Sequence, residues 1–171
     1  MLTLGWSDGN SFLPLSHCLL SSANRTNRLQ EASGKIDARS NGGKQRKLAQ
    51  SKAPAVVRQL LEEVKAAQIP AQYVLFDTWF CSPSSLIQIK DIGFDVIAMV
   101  RKSEKIHFRH DGRMKSAQDI FRQAKKRRGR SKYLLSVAAE AVKDGKAIPV
   151  KLVFVRNRNN RQAGFYRYQP V

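Results

Sequence analysis

The residue best placed to do chemistry in this chain is Asp77, which directly follows the apolar run Tyr73–Phe76. That run lies between Pro70 and the pair Ser82-Pro83, and a short apolar stretch bounded in this way predicts a buried central strand. Asp77 would then lie at the carboxyl end of the strand, where open α/β sheets place ligands and catalytic groups. A carboxylate in that position is suited to bind a metal ion.

A simpler interpretation of Asp77 stays open, because Asp often ends a strand and caps the following turn. Two-metal phosphoryl transfer needs several acids to hold two divalent ions about 3.5–4 Å apart. The remaining aspartates of interest all have turn or cap explanations: Asp8, Asp37, Asp91, Asp95 and Asp111. A catalytic site at Asp77 would therefore need at least two further acids that converge on it.

The histidines and cysteines are weaker candidates for a metal or catalytic site than Asp77. His107, His110 and Asp111 could form a metal site, but their spacing in a predicted hairpin points the two imidazole rings to opposite faces. These three residues are better explained as exposed polar side chains in a basic region. Cys18 and Cys81 are isolated and lack metal-ligand spacing, which suits a reducing cytoplasm.

The charge of the chain indicates a polyanionic partner. Its 171 residues include 31 Lys and Arg against 13 Asp and Glu, a formal net charge of +18. Such a charge attracts nucleic acid, with binding that weakens steeply as salt is added. An anionic membrane surface is the alternative, but the sequence has no spanning apolar run, no amphipathic anchor helix and no secretory signal.

Basic residues concentrate in two segments. Residues 21–52 are rich in Ser, Asn, Gly and basic side chains, which predicts a solvated, flexible loop that could also follow a phosphate backbone. Its candidate DNA-binding residues are Arg25, Arg28, Lys35, Arg39, Lys44, Arg46 and Lys47. The second segment contains Lys125, Lys126, Arg127, Arg128 and Arg130. It is either a solvated tail or a further phosphate contact.

The elements that must position these residues follow from local patterns. Residues 2–6 and 12–20 read as a hairpin about Asp8-Gly9, with Pro14 indicating an edge or a bulge. A helix with one apolar face begins near Pro54 and leads to the strand before Asp77. Another helix, over residues 84–91, and a strand over residues 95–100 complete a parallel β-α-β unit with a right-handed crossover.

The second half of the chain reads as mainly β. A hairpin is predicted about Asp111-Gly112, then a short helix capped by Ser116, then strands over residues 133–142 and 148–156 joined through Asp144-Gly145. Residues 157–171 show no clear period. The fold class is therefore α/β, with a mixed sheet and flanking helices.

Taken together, these motifs resemble DDE-type insertion-sequence transposases of the IS-four-like group, whose catalytic core is RNase H-like. The resemblance lies in GWSDGNSFLP at residues 5–14, LLSS at 19–22, NRL at 27–29, VLFDTWF at 74–80, VIAMVR at 96–101 and VFVRNR at 153–158. The segments follow the order of the family and cover most of residues 2–158.

The resemblance implies a partial RNase H-like core over residues 1–101, including the basic loop at 21–52. A β-rich insertion over 102–158 and an irregular tail over 159–171 would follow. Asp77 matches the second acid of the catalytic triad and a ligand of Mg²⁺ or Mn²⁺. The family cuts transposon ends, joins them to target DNA and acts as a homo-oligomer on DNA, here in the bacterial cytoplasm at the nucleoid.

By the same resemblance, the first Asp would precede the strand at residues 2–6, and the final Glu would follow the insertion. A chain lacking both acids is expected to be a truncated transposase that is inactive alone. The Asp-Gly turn explains Asp8 better than a catalytic role does. The alternative is a basic nucleic-acid-binding protein without catalysis.

Overall fold

The computed structural model describes residues 1–31, 33–101, 103–126, 133–156 and 164–169, the last range as backbone. The chain divides into two compact units, Met1–Pro70 and Ala71–Val171. This division lies before Asp77, whereas the resemblance sets the border between core and insertion after residue 101. The functional meaning of that border stays a prediction.

A β-hairpin opens the first unit. Strands β1 (Leu2–Ser7) and β2 (Phe12–Cys18) are antiparallel. Leu4 is paired with Ser16 and Gly5 with Pro14, so β2 contains one extra residue. This is the bulge that Pro14 predicted, because proline cannot donate to the hydrogen-bond ladder.

The segment over residues 21–52 is not a continuous loop, and that expectation is wrong for part of it. It contains a short 3-10 helix (Arg25–Asn27) and helix α1 (Asn41–Ala49). Ser40 caps α1, because its Oγ accepts a hydrogen bond from the Gly43 backbone N–H at 3.1 Å. The sequence concealed this helix because α1 buries only one side chain, Leu48, and has two helix-weakening glycines in its first turn.

Helix α2 (Ala53–Ala66) completes the first unit and begins with a proline in its first turn, as predicted. Its buried residues Val56 and Leu60 pack with Cys18 of β2 and Leu48 of α1 in one apolar cluster. This cluster joins all the larger elements of the unit. Burial of apolar area therefore stabilises α1, whose own propensity is low.

The second unit begins with the predicted β-α-β arrangement. Strands β3 (Tyr73–Phe76) and β4 (Asp95–Val100) are parallel and are connected by helix α3 (Pro83–Ile92). Ser82 caps α3 through a bond from the Ser85 N–H, and Gly93 ends it with a φ of 99°. Both boundary signals were readable in the sequence.

The predicted elements of the β-rich half are present. Strands β5 (His107–His110) and β6 (Arg113–Ser116) form a hairpin, helix α4 (Ala117–Gln123) follows, and β7 (Tyr133–Lys143) pairs with β8 (Lys146–Arg156). Each hairpin turns through an Asp-Gly pair with positive φ at both residues, as such two-residue turns require.

Part of the predicted irregular tail is a strand, which corrects that expectation. Strand β9 (Gly164–Gln169) lies between β4 and β8 and is antiparallel to both. Its backbone joins the β-α-β unit and the β-rich half in one seven-stranded sheet with the order β3-β4-β9-β8-β7-β5-β6. The predicted α/β fold class with a mixed sheet is confirmed.

The strand before Asp77 is not a buried central strand, so that expectation is also wrong. Within this sheet β3 is an edge strand with β4 as its one neighbour, and alternate side chains, Tyr73 and Leu75, are 43% and 71% exposed. An apolar run gives the composition of a strand, whereas the number of neighbouring strands depends on pairing across the whole chain. No helix in the described part of the chain is long and apolar enough to cross a membrane.

Candidate active-site carboxylate and nucleic-acid interface

Asp77 follows the last residue of β3 and is exposed to solvent. Its Oδ1 accepts a hydrogen bond from the backbone N–H of Trp79 at 3.0 Å. Its other oxygen, Oδ2, has no partner among the described residues. The two interpretations of Asp77 are therefore compatible, because one oxygen closes the turn while the other remains available to a ligand.

The turn after Asp77 is fixed on both sides. The Phe80 ring packs edge-on against Phe76 of β3, with centroids 6.2 Å apart, and the Phe80 carbonyl accepts a bond from the Ser82 N–H at 3.0 Å. Cys81, between Phe80 and Ser82 in the sequence, is buried. This burial raises the pKa of its thiol to about 12. The thiol therefore stays protonated at neutral pH and is a packing residue, not a nucleophile.

Asp8, the other conceivable acid, is a turn residue. Its Oδ1 accepts bonds from the backbone N–H groups of Ser11, at 2.6 Å, and Asn10, at 2.8 Å. These two bonds lower the pKa of Asp8 by stabilising the ionised carboxylate. The geometry agrees with the sequence-based preference for a turn over a catalytic role.

The remaining aspartates also have partners that explain them. Asp91 is paired with Lys146 at 2.7 Å, Asp95 forms a close ion pair with Lys90, and Asp37 accepts from the backbone of Arg39. His110 lies within 3.3 Å of Asp111, and its Nδ1 contacts the carbonyl of Ala138.

In the described ranges, no three His, Cys, Asp or Glu side chains come together as a possible metal site. Asp77 alone does not fit a two-metal centre, which needs several acids. The predicted Mg²⁺ or Mn²⁺ ligand is therefore present as a single carboxylate.

The predicted DNA-binding residues fall into paired and unpaired groups. Arg25 and Arg28 both pair with Glu31, at 3.4 and 3.2 Å, and Arg39 lies 3.6 Å from Asp37. These three cations are partly neutralised by carboxylates, which weakens their attraction for phosphate.

Helix α1 carries the unpaired group, which we call the α1 cations: Lys44, Arg46 and Lys47. All three are exposed, and none forms an ion pair with a described residue. The helix contains no carboxylate. The loop expectation missed this helix, on which Lys44 and Lys47 lie about one turn apart.

A cleft of about 470 Å³ lies beside α1, lined by residues that include Arg28, Glu31, Arg46 and Gln50. The Arg28 side chain is 17% exposed, and its Nε is buried without a hydrogen-bond partner among the described residues. A buried guanidinium N–H without an acceptor is unusual, because such groups are normally satisfied.

The second basic segment follows α4. Lys125 and Lys126 are exposed, and Lys126 Nζ lies 4.6 Å from the centroid of the Phe121 ring. Arg127, Arg128 and Arg130 lie outside the described residues. The cation–π contact holds one lysine near the end of α4 and leaves Lys125 to solvent.

The structure also brings out a residue that the sequence did not single out. The Trp79 side chain is 81% exposed, although tryptophan is usually well buried. Its position next to Asp77 was visible in the sequence, whereas its exposure was not. Local pattern could not reveal it, because exposure depends on how the turn is folded.

DDE superfamily endonucleases match residues 1–153 of the chain. No curated protein and no solved structure matches it. Endonucleases of this superfamily use divalent metal ions, and membership implies a DNA substrate and DNA cleavage of the transposase or nuclease type. The α/β fold is consistent with a partial RNase H-like core, and the chain belongs to the DDE superfamily endonucleases.

Proposed function

We propose that this chain is part of a transposase of the IS-four-like group, which cleaves transposon ends and joins them to target DNA, and that Asp77 is one of its metal-binding acids. The observation that supports this most strongly is the match to DDE superfamily endonucleases over residues 1–153, which includes Asp77. Asp77 also occupies the carboxyl end of a parallel strand, where α/β enzymes place catalytic groups.

The role proposed for Asp77 is to hold a divalent ion through Oδ2. The bond from the Trp79 N–H to Oδ1 orients the carboxylate, so that Oδ2 remains accessible to solvent. A bound ion would supply Lewis-acid stabilisation of phosphate oxygens. The described residues contribute one acid to a centre that needs several, so we expect no DNA cleavage by residues 1–171 alone.

DNA would be held by the α1 cations and by the cleft at Arg28. Exposed charges on one short helix can contact phosphates, and Arg28 and Arg46 line the same cleft. Such contacts position DNA without reading its sequence. The second basic segment at residues 125–130 is proposed as a further phosphate contact.

Manganese quenching of tryptophan fluorescence tests the role of Asp77. Mn²⁺ is paramagnetic and quenches indole fluorescence at short range. Trp79 is close enough for this, because its backbone N–H donates a hydrogen bond to the Asp77 carboxylate. In a Trp6→Phe background, where Trp79 is the remaining tryptophan, we expect millimolar Mn²⁺ to quench the emission of the DNA-bound protein. Excess Mg²⁺ should reverse the quenching by competition.

Asp77→Asn should abolish most of this quenching, because the amide is a much weaker ligand for a hard cation. The matched control is Asp111→Asn, which removes an exposed carboxylate from the same unit and should leave the quenching unchanged. Equal quenching in Asp77→Asn and in the parent would rule out Asp77 as the metal ligand.

The second candidate function is a DNA-binding protein without catalysis. It is favoured by the absence of a three-residue metal cluster in the described part of the chain. Under this alternative, DNA affinity depends on the α1 cations and is the same in Asp77→Asn and the parent, with or without Mn²⁺. The proposed metal role instead requires Mn²⁺ to strengthen DNA binding in the parent more than in Asp77→Asn.

A further inference from the structure

Trp79 is the most exposed aromatic side chain that the structure describes, at 81%. The next are Phe12 at 66% and Tyr133 at 49%. The two neighbouring aromatics, Phe76 and Phe80, are half-buried against each other. The turn after Asp77 therefore half-buries Phe80 and leaves Trp79 exposed to solvent.

The backbone that carries the exposed indole is held in position on both sides of Trp79. The Trp79 N–H is bonded to Asp77 Oδ1, and the Phe76–Phe80 contact fixes the following residue. Because the turn is fixed on both sides, the Cα of Trp79 has a defined place beside the carboxylate. The residue that carries this exposed indole is thus hydrogen-bonded through its backbone to the proposed metal-binding acid.

We propose that Trp79 is a stacking platform for an unpaired nucleobase of the DNA strand that approaches Asp77. This inference rests on the proposed function. Every nucleobase has a π-face, so stacking on an exposed indole tolerates any sequence, and proteins hold single strands by stacking bases on aromatic side chains. A base stacked on Trp79 would bring its phosphate linkage close to the Asp77 carboxylate. Trp79 would then be a positioning residue for the strand.

Nucleobase stacking explains why an aromatic is presented to water at this position. Bases inside an intact duplex stack on one another and offer no free face, so Trp79 should recognise DNA with an unpaired nucleotide. A protein partner packed on the indole would show no such dependence on DNA structure. The two occupants are therefore separable by the form of DNA that is added.

The experiment compares two DNA probes with the same number of phosphates, a blunt duplex and a duplex with an unpaired 3′ overhang. Trp79→Ala should weaken binding of the overhang probe about 5- to 150-fold, the range expected for loss of one stacked base. Blunt-duplex affinity should change less than twofold. Trp79→Phe should keep most of the affinity, because phenylalanine also stacks.

Fluorescence provides the second readout. In Trp6→Phe, where Trp79 alone emits, the overhang probe should quench the emission more strongly than the blunt probe. The matched control is Trp79→Phe, which retains Trp6, a half-buried residue whose Nε1 donates to the Pro70 carbonyl at 2.7 Å. Its emission should be nearly unaffected by either probe. Thermal melting of each variant checks the fold.

Equal losses for both probes in Trp79→Ala, or no loss for either, would overturn the stacking inference while leaving DNA binding by the basic residues intact. Overhang-independent quenching would overturn it as well. If the parent protein bound neither probe at low salt, the proposed DNA-binding function itself would be contradicted. The failure of the inference and the failure of the function therefore give different results.

Discussion

At the scale of single residues, the chemistry of the chain depends on which polar atoms are already satisfied. Both hydrogen bonds to Asp8 come from its own turn, whereas Asp77 uses one oxygen for its turn and keeps the other. Arg25 and Arg39 face carboxylates, whereas the α1 cations do not. Residues of the same type can thus be distinguished by whether their polar atoms already have a partner in the fold.

The two glycines in the first turn of α1, Gly42 and Gly43, allow a matched test. A Cβ on Gly43 would lie 2.4 Å from the Asp37 carbonyl oxygen and 2.8 Å from the Cα of Ala38, and both are backbone atoms that cannot move aside easily. Gly43→Ala should therefore lower the free energy of unfolding by about 1–3 kcal/mol.

Gly42→Ala is the control, because a Cβ there meets nothing closer than the Ser40 Oγ at 4.0 Å. It should be neutral or stabilise by up to about 1 kcal/mol, since alanine favours a helix more than glycine does. Urea unfolding of both variants measures the difference. Equal effects would mean that the close approach of the Asp37–Ala38 backbone to α1 is not maintained in solution.

At the scale of elements, what the sequence predicted and what it missed have a physical explanation. The hairpin turn at Asp8-Gly9, the Ser82 cap and the Gly93 helix end depend on residues within a few positions of one another, and all three are found. Helix α1 depends on Leu48 packing against Cys18 and α2, contacts made by residues from other elements, and was missed. Local signals determine boundaries, whereas weak helices depend on tertiary packing.

The candidate site likewise combines features that local sequence predicts with features that depend on distant segments. Asp77 at the end of β3 was predicted from the apolar run before it, and its position is found. The edge position of β3 and the insertion of β9 beside β4 depend on pairing between segments about 70 residues apart. Exposure of Trp79 follows from the fold of the turn. None of these leaves a periodic signal in the sequence.

Helix α4 makes a pH-dependent prediction at the element scale. Ser116 Oγ accepts from the Asp119 N–H and donates to Asp119 Oδ2 at 2.7 Å. The bond from Ser116 Oγ, followed by the charges of Arg122 and His107, lowers the pKa of Asp119. A carboxyl with a lowered folded-state pKa stabilises the fold above its unfolded pKa, and this contribution is lost as pH falls through the folded value.

Asp119→Asn should therefore lower the free energy of unfolding at pH 6, with a difference from the parent that shrinks steadily between pH 5 and pH 3. Urea unfolding at several pH values measures this. The control is Asp144→Asn, at the exposed β7–β8 turn, where asparagine also tolerates the positive φ. A difference for Asp119→Asn that stays constant over this range would show that the ionised form has no special role at the cap.

At the scale of the whole molecule, the net charge of +18 and the DNA substrate implied by the family lead to one quantitative expectation. Each phosphate that a cation neutralises releases counterions, so the logarithm of affinity falls linearly with the logarithm of salt concentration, by about 0.9 per contact. The slope counts contacts, whereas affinity at one salt concentration does not. Removing real contacts must therefore reduce the slope.

Replacing all three α1 cations by alanine should make the salt slope shallower by about 2 to 3 units, if each contacts one phosphate. The matched control removes three exposed cations that already have carboxylate partners, Arg58, Lys90 and Lys146. Both variants lose the same formal charge, so a general loss of attraction would affect them equally. Electrophoretic mobility shifts over a range of salt concentrations measure the two slopes. Identical slopes would show that overall charge, and not α1, holds the DNA, whereas a shallower slope in the α1 variant alone would place phosphate contacts on this helix.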